Sequence, residues 1–248
     1  MQSVKNNPKK MKKFPSISFF CPAYNDEKNI EKVVKRADAL LKRYAEVYEI
    51  LVVNDGSPDK TANVLKKLKK KYSRLRIITH KKNQGYGAAL RDGFENSRYE
   101  LVMYTDGDFQ YNPLQFSRLL KFIDNYDLVI GYKIHRNDST YRYIQSKIFN
   151  IFISVMFGLG FKDINCSMKI IRKKILDNIK IETDTAFIDV EIVFKAKRLG
   201  AKIKEVGVDH MPRLHGEAGG VKFRVIWPTI RDMTKFFFRR ITGSNGQR

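Results

Sequence analysis

A chain of 248 residues with 43% hydrophobic composition can bury one sizeable core, and it carries 48 lysines and arginines against 26 acids, a formal charge of +22. Its two cysteines, Cys21 and Cys166, have neither C-x-x-C spacing nor a neighbouring histidine, which excludes a disulfide framework or structural zinc site and fits a reducing cytoplasm. The charge excess points to an anionic partner (nucleic acid, anionic membrane or phosphorylated substrate) without choosing among them.

Residues 1–13 read as a basic extension (Lys5, Lys9, Lys10, Lys12, Lys13). A short strand-like run follows instead of the apolar stretch and cleavage site of a signal peptide, so secretion is not expected. Apolar β-rich runs over 17–24, 48–55, 76–81, 100–106 and 127–132 then alternate with helical patterns. Ile30, Val33, Val34, Ala37, Leu40, Leu41 and Tyr44 form one apolar stripe, and further helices are expected over 59–71, 87–96, 113–122 and 141–157. Lys66, Lys67, Lys69, Lys70 and Lys71 read as the solvated face of the helix over 59–71. The alternation predicts a Rossmann-like α/β fold, with a mostly parallel central sheet flanked by helices. The longest apolar stretch, 148–161, includes Asn150 and Ser154 and falls short of the roughly 20 apolar residues a membrane span needs, so no segment is expected to cross a bilayer.

Open α/β sheets bind ligands beyond the carboxyl ends of their strands, so polar motifs at those ends carry weight. In Val53-Asn54-Asp55-Gly56-Ser57, Asp55 is placed to accept hydrogen bonds from a base N–H or a ribose hydroxyl, while Asp59 reads as a helix N-cap. Gly85-Tyr86-Gly87-Ala88-Ala89 opens a helix, where Gly85 and Gly87 permit close backbone approach to a ligand; a tight strand-to-helix turn explains them equally well. In Thr105-Asp106-Gly107-Asp108-Phe109-Gln110, two carboxylates and an amide offer hard oxygens to Mg2+ or Mn2+, which keep coordination sites for a substrate's phosphates. A plain turn is the alternative reading of the same letters.

Together these motifs, with Pro22-Ala23-Tyr24-Asn25-Asp26-Glu27 after the first strand, resemble the family-2 glycosyltransferases of GT-A fold. The likeness is greatest to the branch that includes dolichol-phosphate mannose synthase and the polyprenyl-phosphate glycosyltransferases. That resemblance implies an inverting, metal-dependent enzyme that moves a hexose from a GDP-mannose or UDP-glucose type donor to a lipid phosphate. It implies that Pro22, Ala23, Tyr24 and Asp26 line the nucleotide pocket, with Asp26 standing where the family commonly has glutamate. It also implies that Asp55 holds the base, and that Asp106, Asp108 and Gln110 bind the metal and donor diphosphate. Arg142, Ser146 and Asn150 match the family's R-x-x-x-S-x-x-x-N helix, and Arg136, Arg142 and Ser146 would dock the acceptor phosphate. Asp163-Ile164-Asn165-Cys166 matches the segment before the family's Gly-Phe, here replaced by Ser167-Met168.

Arg213, in a late loop resembling the one that closes over donor phosphates, would be a charge clamp through paired guanidinium hydrogen bonds. Asp189 lies where relatives that glycosylate hydroxyls carry a base, and it also reads as the N-cap of the following helix. Residues 222–240 form a basic helix with an aromatic-rich face (Phe223, Trp227, Phe237 with Arg224, Arg231, Arg239), suited either to an anionic membrane surface or to packing on the core. The expected organisation is therefore an extension at 1–13, a catalytic domain over 14–221 and an amphipathic appendage over 222–248, peripheral on the cytoplasmic membrane face. Two rival readings are a family-2 enzyme acting on a sugar hydroxyl in polysaccharide synthesis, and a non-enzymatic nucleic-acid binder, for which no recognised motif is present.

Overall fold

The computed structural model describes residues 13–134, 140–212 and 223–241. The first strand, β1 (Phe14–Ala23), is buried on both faces from Ile17 to Ala23, as a central strand of a parallel sheet must be when helices cover it on both sides. It is followed by α1 (Ile30–Tyr44), β2 (Ala45–Asn54), α2 (Thr61–Lys71), β3 (Leu75–Thr79), α3 (Tyr86–Glu95) and β4 (Leu101–Tyr104). A 3-10 turn at Pro113–Gln115 runs into α4 (Phe116–Leu119), then β5 (Leu128–Lys133), α5 (Thr140–Phe157), β6 (Lys169–Arg172), α6 (Lys173–Leu176), α7 (Ile188–Arg198), β7 (Ile203–Val208) and α8 (Phe223–Ile241).

The strands form one seven-stranded sheet in the order β3-β2-β1-β4-β6-β5-β7, parallel throughout except that β6 runs against both β4 and β5. On one face, α1 and α2 bury Val33, Ala37, Leu41 and Leu65 against Ile17, Phe19 and Ile50. On the other face, α3, α5, α7 and α8 close over Phe20, Leu51 and Tyr104 with Phe94, Phe157, Val193 and Phe236. The expected α/β class and mostly parallel sheet are what the chain adopts.

Three local expectations are corrected. The helix expected over 113–122 is one 3-10 turn and a single α-helical turn, begun by Asn112, whose side chain accepts the Leu114 N–H. β6 and β7 were not expected. β6 is four residues long and contains a lysine, and β7 (Ile-Lys-Glu-Val-Gly-Val) is a half-exposed edge strand, so neither carries the apolar run of a buried strand. Phe14 and Ala45 pair with each other, so β1 and β2 begin three residues earlier than their hydrophobic runs.

The register gathers the loops. Ala23 pairs with Asn54, so β1 and β2 end side by side, whereas Tyr104 pairs with Phe20, so the loop after β4 runs alongside the last residues of β1.

Candidate functional site

The turn after β1 and the turn after β2 are tied to each other by side chains. Asn25, in the left-handed region at φ 59, donates its N–H to Ser57 Oγ (2.9 Å), and Asp26 N–H goes to Thr61 Oγ1 (3.0 Å). Glu27 N–H reaches Asp59 Oδ2 (3.1 Å), and Glu27 Oε2 accepts from Lys60 N–H (2.9 Å). Asp59 also accepts from Thr61 N–H at the start of α2, although the cap position proper is Lys60, one residue later than expected. Asp26 is buried and accepts the Tyr24 N–H (3.0 Å), while Tyr24 itself is 45% exposed.

Against this turn lies the acidic loop. A side chain at Gly107 would place its first carbon 2.5 Å from the Pro22 carbonyl oxygen and 3.1 Å from Asp26 Oδ2, so only glycine lets Asp106 and Asp108 approach the β1 turn this closely. Asp108 is buried and takes the Gln110 N–H (2.9 Å), and Phe109 between them has φ 61. Asp106 receives the Tyr86 hydroxyl at 3.0 Å and the Ser167 hydroxyl. Burial, then the charge of Asp108, pushes its carboxyl up to about 7, against the lowering effect of those two hydroxyls. Among the described residues no group of three His, Cys, Asp or Glu could hold a metal ion. The protein's contribution at this loop is a carboxylate pair, the donor set with which Mg2+ is usually held alongside substrate phosphates and water. A divalent cation therefore fits, because it would compensate a partly buried acid whose partners are hydroxyls. Gln110 turns its amide nitrogen to the Met211 carbonyl (3.3 Å).

Asp55 is 3% exposed and organises the next loop. Its carboxylate accepts His80 Nδ1 (2.7 Å), Gln84 N–H (2.8 Å) and Gly85 N–H (2.9 Å), and His80 Nε2 lies 2.7 Å from Asp92 Oδ2. Burial disfavours the charged imidazole, but hydrogen bonds to Asp55 and Asp92 outweigh it and leave the His80 pKa raised. Gly85 has φ 100, and a side chain on Gly87 would strike the Asp184–Thr185 backbone, so the start of α3 is pressed between Asp55 and the segment before α7.

Beside the end of β4 is a buried charged cluster in which sequence reasoning found Asp189 and missed its partner Lys169. Lys169 Nζ, 1% exposed, lies 2.5 Å from Asp189 Oδ1, 2.9 Å from Tyr104 Oη and 2.6 Å from the Cys166 carbonyl. The Tyr104 hydroxyl also donates to Asp189. The cap of α7 is Phe187, so the N-cap reading of Asp189 is corrected: it sits one position inside the helix and serves as a buried counter-ion. A lone lysine in the apolar run Met168-Lys169-Ile170-Ile171 was the available signal, since a buried lysine requires a partner.

Ser146 and Asn150 stack on α5, with Asn150 Nδ2 donating to the Ser146 carbonyl (2.8 Å). Asn150 Oδ1 accepts the Ile164 N–H (3.1 Å), which ties α5 to the segment whose Ser167 reaches Asp106. The residues before the late loop also arrive at the site, for Met211 N–H meets the Gln110 carbonyl (2.8 Å). Arg136 and Arg213 lie outside the described residues, as does the side chain of Arg142 on α5.

Residues 18–180 match the family described as Glycosyl transferase family 2. A Pseudomonas fluorescens protein named undecaprenyl-phosphate 4-deoxy-4-formamido-L-arabinose transferase is 29% identical over 221 residues, covering 87% of this chain and 64% of that protein. A Rhizobium johnstonii protein named dodecaprenyl-phosphate galacturonate synthase is 30% identical over 233 residues, covering 90% and 67%. The chain thus spans about two thirds of the length of these relatives. Among solved structures, glucosyl-3-phosphoglycerate synthase from Mycobacterium tuberculosis, with Mn2+, UDP-glucose and phosphoglyceric acid, has the same fold at a TM-score of 0.70 and 16% identity, covering 91% of this chain and 79% of that one.

Proposed function

Because this chain belongs to glycosyl transferase family 2, we propose that it moves a hexose, with inversion, from a nucleotide sugar of the GDP-mannose or UDP-glucose type onto a polyprenyl phosphate. The observation that carries the donor half is the seating of Asp106-Gly107-Asp108 on the β1 turn, beside the start of α3 and at the carboxyl edge of three parallel strands. In this reading Pro22, Ala23, Tyr24 and Asp26 border the nucleoside. Asp55 acts mainly through the loop it holds, presenting Gly85 to the ligand, whereas Gly87, expected to do the same, packs against the Asp184–Thr185 backbone instead. Asp106 and Asp108 would hold Mg2+ or Mn2+, which when bound offsets negative charge on the departing diphosphate. Gln110 fixes the approach of the late loop, and Arg213 would bring a guanidinium to the phosphates.

The names of the two relatives support a polyprenyl-phosphate acceptor. A phosphate oxygen is already anionic near neutral pH and needs little general-base help. The engagement of Asp189 by Lys169 and Tyr104 suits such an acceptor, for it makes Asp189 a counter-ion instead of a base. Arg136, Arg142 and Ser146 are proposed to dock the acceptor phosphate. The domain reading places catalysis in 14–221, with 1–13 and 222–248 as basic appendages.

No helix among the described residues is long and apolar enough to cross a membrane. α8 buries Met233 and Phe236 on the core while exposing Trp227, Ile230 and Phe238, which supports a peripheral contact at the cytoplasmic membrane face. The test is a screen of UDP- and GDP-sugars with Mn2+ or Mg2+ and a short polyprenyl phosphate. Glycolipid formation that requires both a cation and the phosphate is expected. Turnover only onto sugar hydroxyls would overturn the acceptor, and no turnover with any donor would overturn the enzyme.

A further inference from the structure

Ser167, 2% exposed, meets a single residue of the acidic loop twice. Its Oγ accepts the Asp106 N–H at 3.4 Å, and its hydroxyl donates to the Asp106 carboxylate, so one side chain ties the head group of Asp106 to that residue's own backbone. The Tyr86 hydroxyl donates to Oδ1 of the same carboxylate at 3.0 Å. A carboxylate offers roughly four lone-pair sites, so two donated hydrogen bonds fix its orientation and leave room for further ligands.

The two hydroxyls arrive from separate parts of the fold, and each is held by its neighbours. On the Ser167 side, Asn150 Oδ1 holds the Ile164 N–H (3.1 Å), the Cys166 carbonyl takes Lys169 Nζ (2.6 Å), and the Met168 carbonyl accepts the Gly131 N–H (2.8 Å). A side chain on Gly131 would come within 2.9 Å of Cys166 Sγ, so this segment is pressed against β5. On the other side, Tyr86 follows Gly85, whose N–H is bound by Asp55 (2.9 Å). The buried Lys169 thus has a second consequence: besides neutralising Asp189, it fixes the peptide that carries Ser167.

We propose that Ser167 is a positioning residue for a divalent cation, holding the Asp106 carboxylate, together with Tyr86, in one orientation before the cation binds. The role holds only if Asp106 and Asp108 are cation ligands, as proposed. Ordering a carboxylate in advance removes that cost from binding, and hydrogen-bond partners of metal ligands contribute about 10–100-fold in affinity. The effect weighs heavily here, because the described residues contain no group of three His, Cys, Asp or Glu to hold the ion, and the orientation of each member of a carboxylate pair matters more than in a fuller cage. The hydroxyl is not required to build the turn, since glycine is the family's usual residue at the place of Ser167.

The experiment titrates the full chain with Mn2+, alone and with UDP or GDP, and follows binding by water-proton relaxation; thermal midpoints are taken without cation. Ser167→Ala and Ser167→Gly should each weaken Mn2+ binding about tenfold or more while unfolding stays cooperative, and Tyr86→Phe should act in the same direction. Mn2+ affinity unchanged in both Ser167 variants overturns this inference and leaves the cation reading of Asp106 and Asp108 standing. Loss of cooperative unfolding in both would make Ser167 a structural residue and overturns it too. A parent chain that binds no Mn2+ under any of these conditions overturns the cation reading itself, and this role with it.

Discussion

Lys169 and Asp189 meet at 2.5 Å, at 1% and 4% side-chain exposure, beside the strand that ends in the acidic loop. Removing one partner of a buried pair strands the other. Lys169→Met should therefore cost about 3–5 kcal/mol in urea denaturation, and adding Asp189→Leu should return much of it. If Asp189 is a counter-ion, the folded double variant keeps glycolipid synthesis within about tenfold of the parent, whereas loss of a general base would remove roughly a hundredfold or more.

Gly107→Ala drives a methyl carbon to 2.5 Å from the Pro22 carbonyl. Backbone on both sides must shift, at a cost of about 1–3 kcal/mol. Because the shift separates Asp106 from the β1 turn, donor affinity should fall far more than stability, which titration with a nucleoside diphosphate and Mn2+ measures. Unchanged affinity would mean that the two loops do not form one site.

The Asp106 carboxyl is raised to about 7, so in the cation-free protein it binds its proton more tightly than in the unfolded chain. Stability should then fall as pH climbs from about 4, the unfolded value, to about 7. Asp106→Asn should raise the cation-free thermal midpoint near neutral pH, with the gain fading toward pH 4. Mn2+ should stabilise the parent and not the variant. A variant less stable than the parent at neutral pH would contradict this.

His80 bridges Asp55 and Asp92 with a raised pKa. A histidine raised on folding contributes stability fully below its unfolded value of about 6.5 and loses it as pH rises through the folded value. Thermal midpoints taken upward from about pH 6 should decline in the parent and lose that component in His80→Gln. Since Asp55 also holds Gln84 and Gly85, the variant should bind donor nucleotide more weakly.

The chain's letters by themselves determined the α/β class, the positions of β1 to β5 and the acid loop after β4, because apolar periodicity and turn chemistry are local properties. They equally marked Asp55, Asp106 and Asp108 as strand-end acids. What Lys169, His80 and Tyr86 do was decided only in three dimensions, since each meets its partner across 12 or more residues of chain: Lys169 reaches Asp189, His80 reaches Asp55 and Asp92, and Tyr86 reaches Asp106. Tertiary packing also set the antiparallel insertion of β6 and left Ile148 and Val155 of α5 exposed. In the sequence, 148–161 is one apolar run, and nothing local distinguishes the side chains that face the core from those that face away.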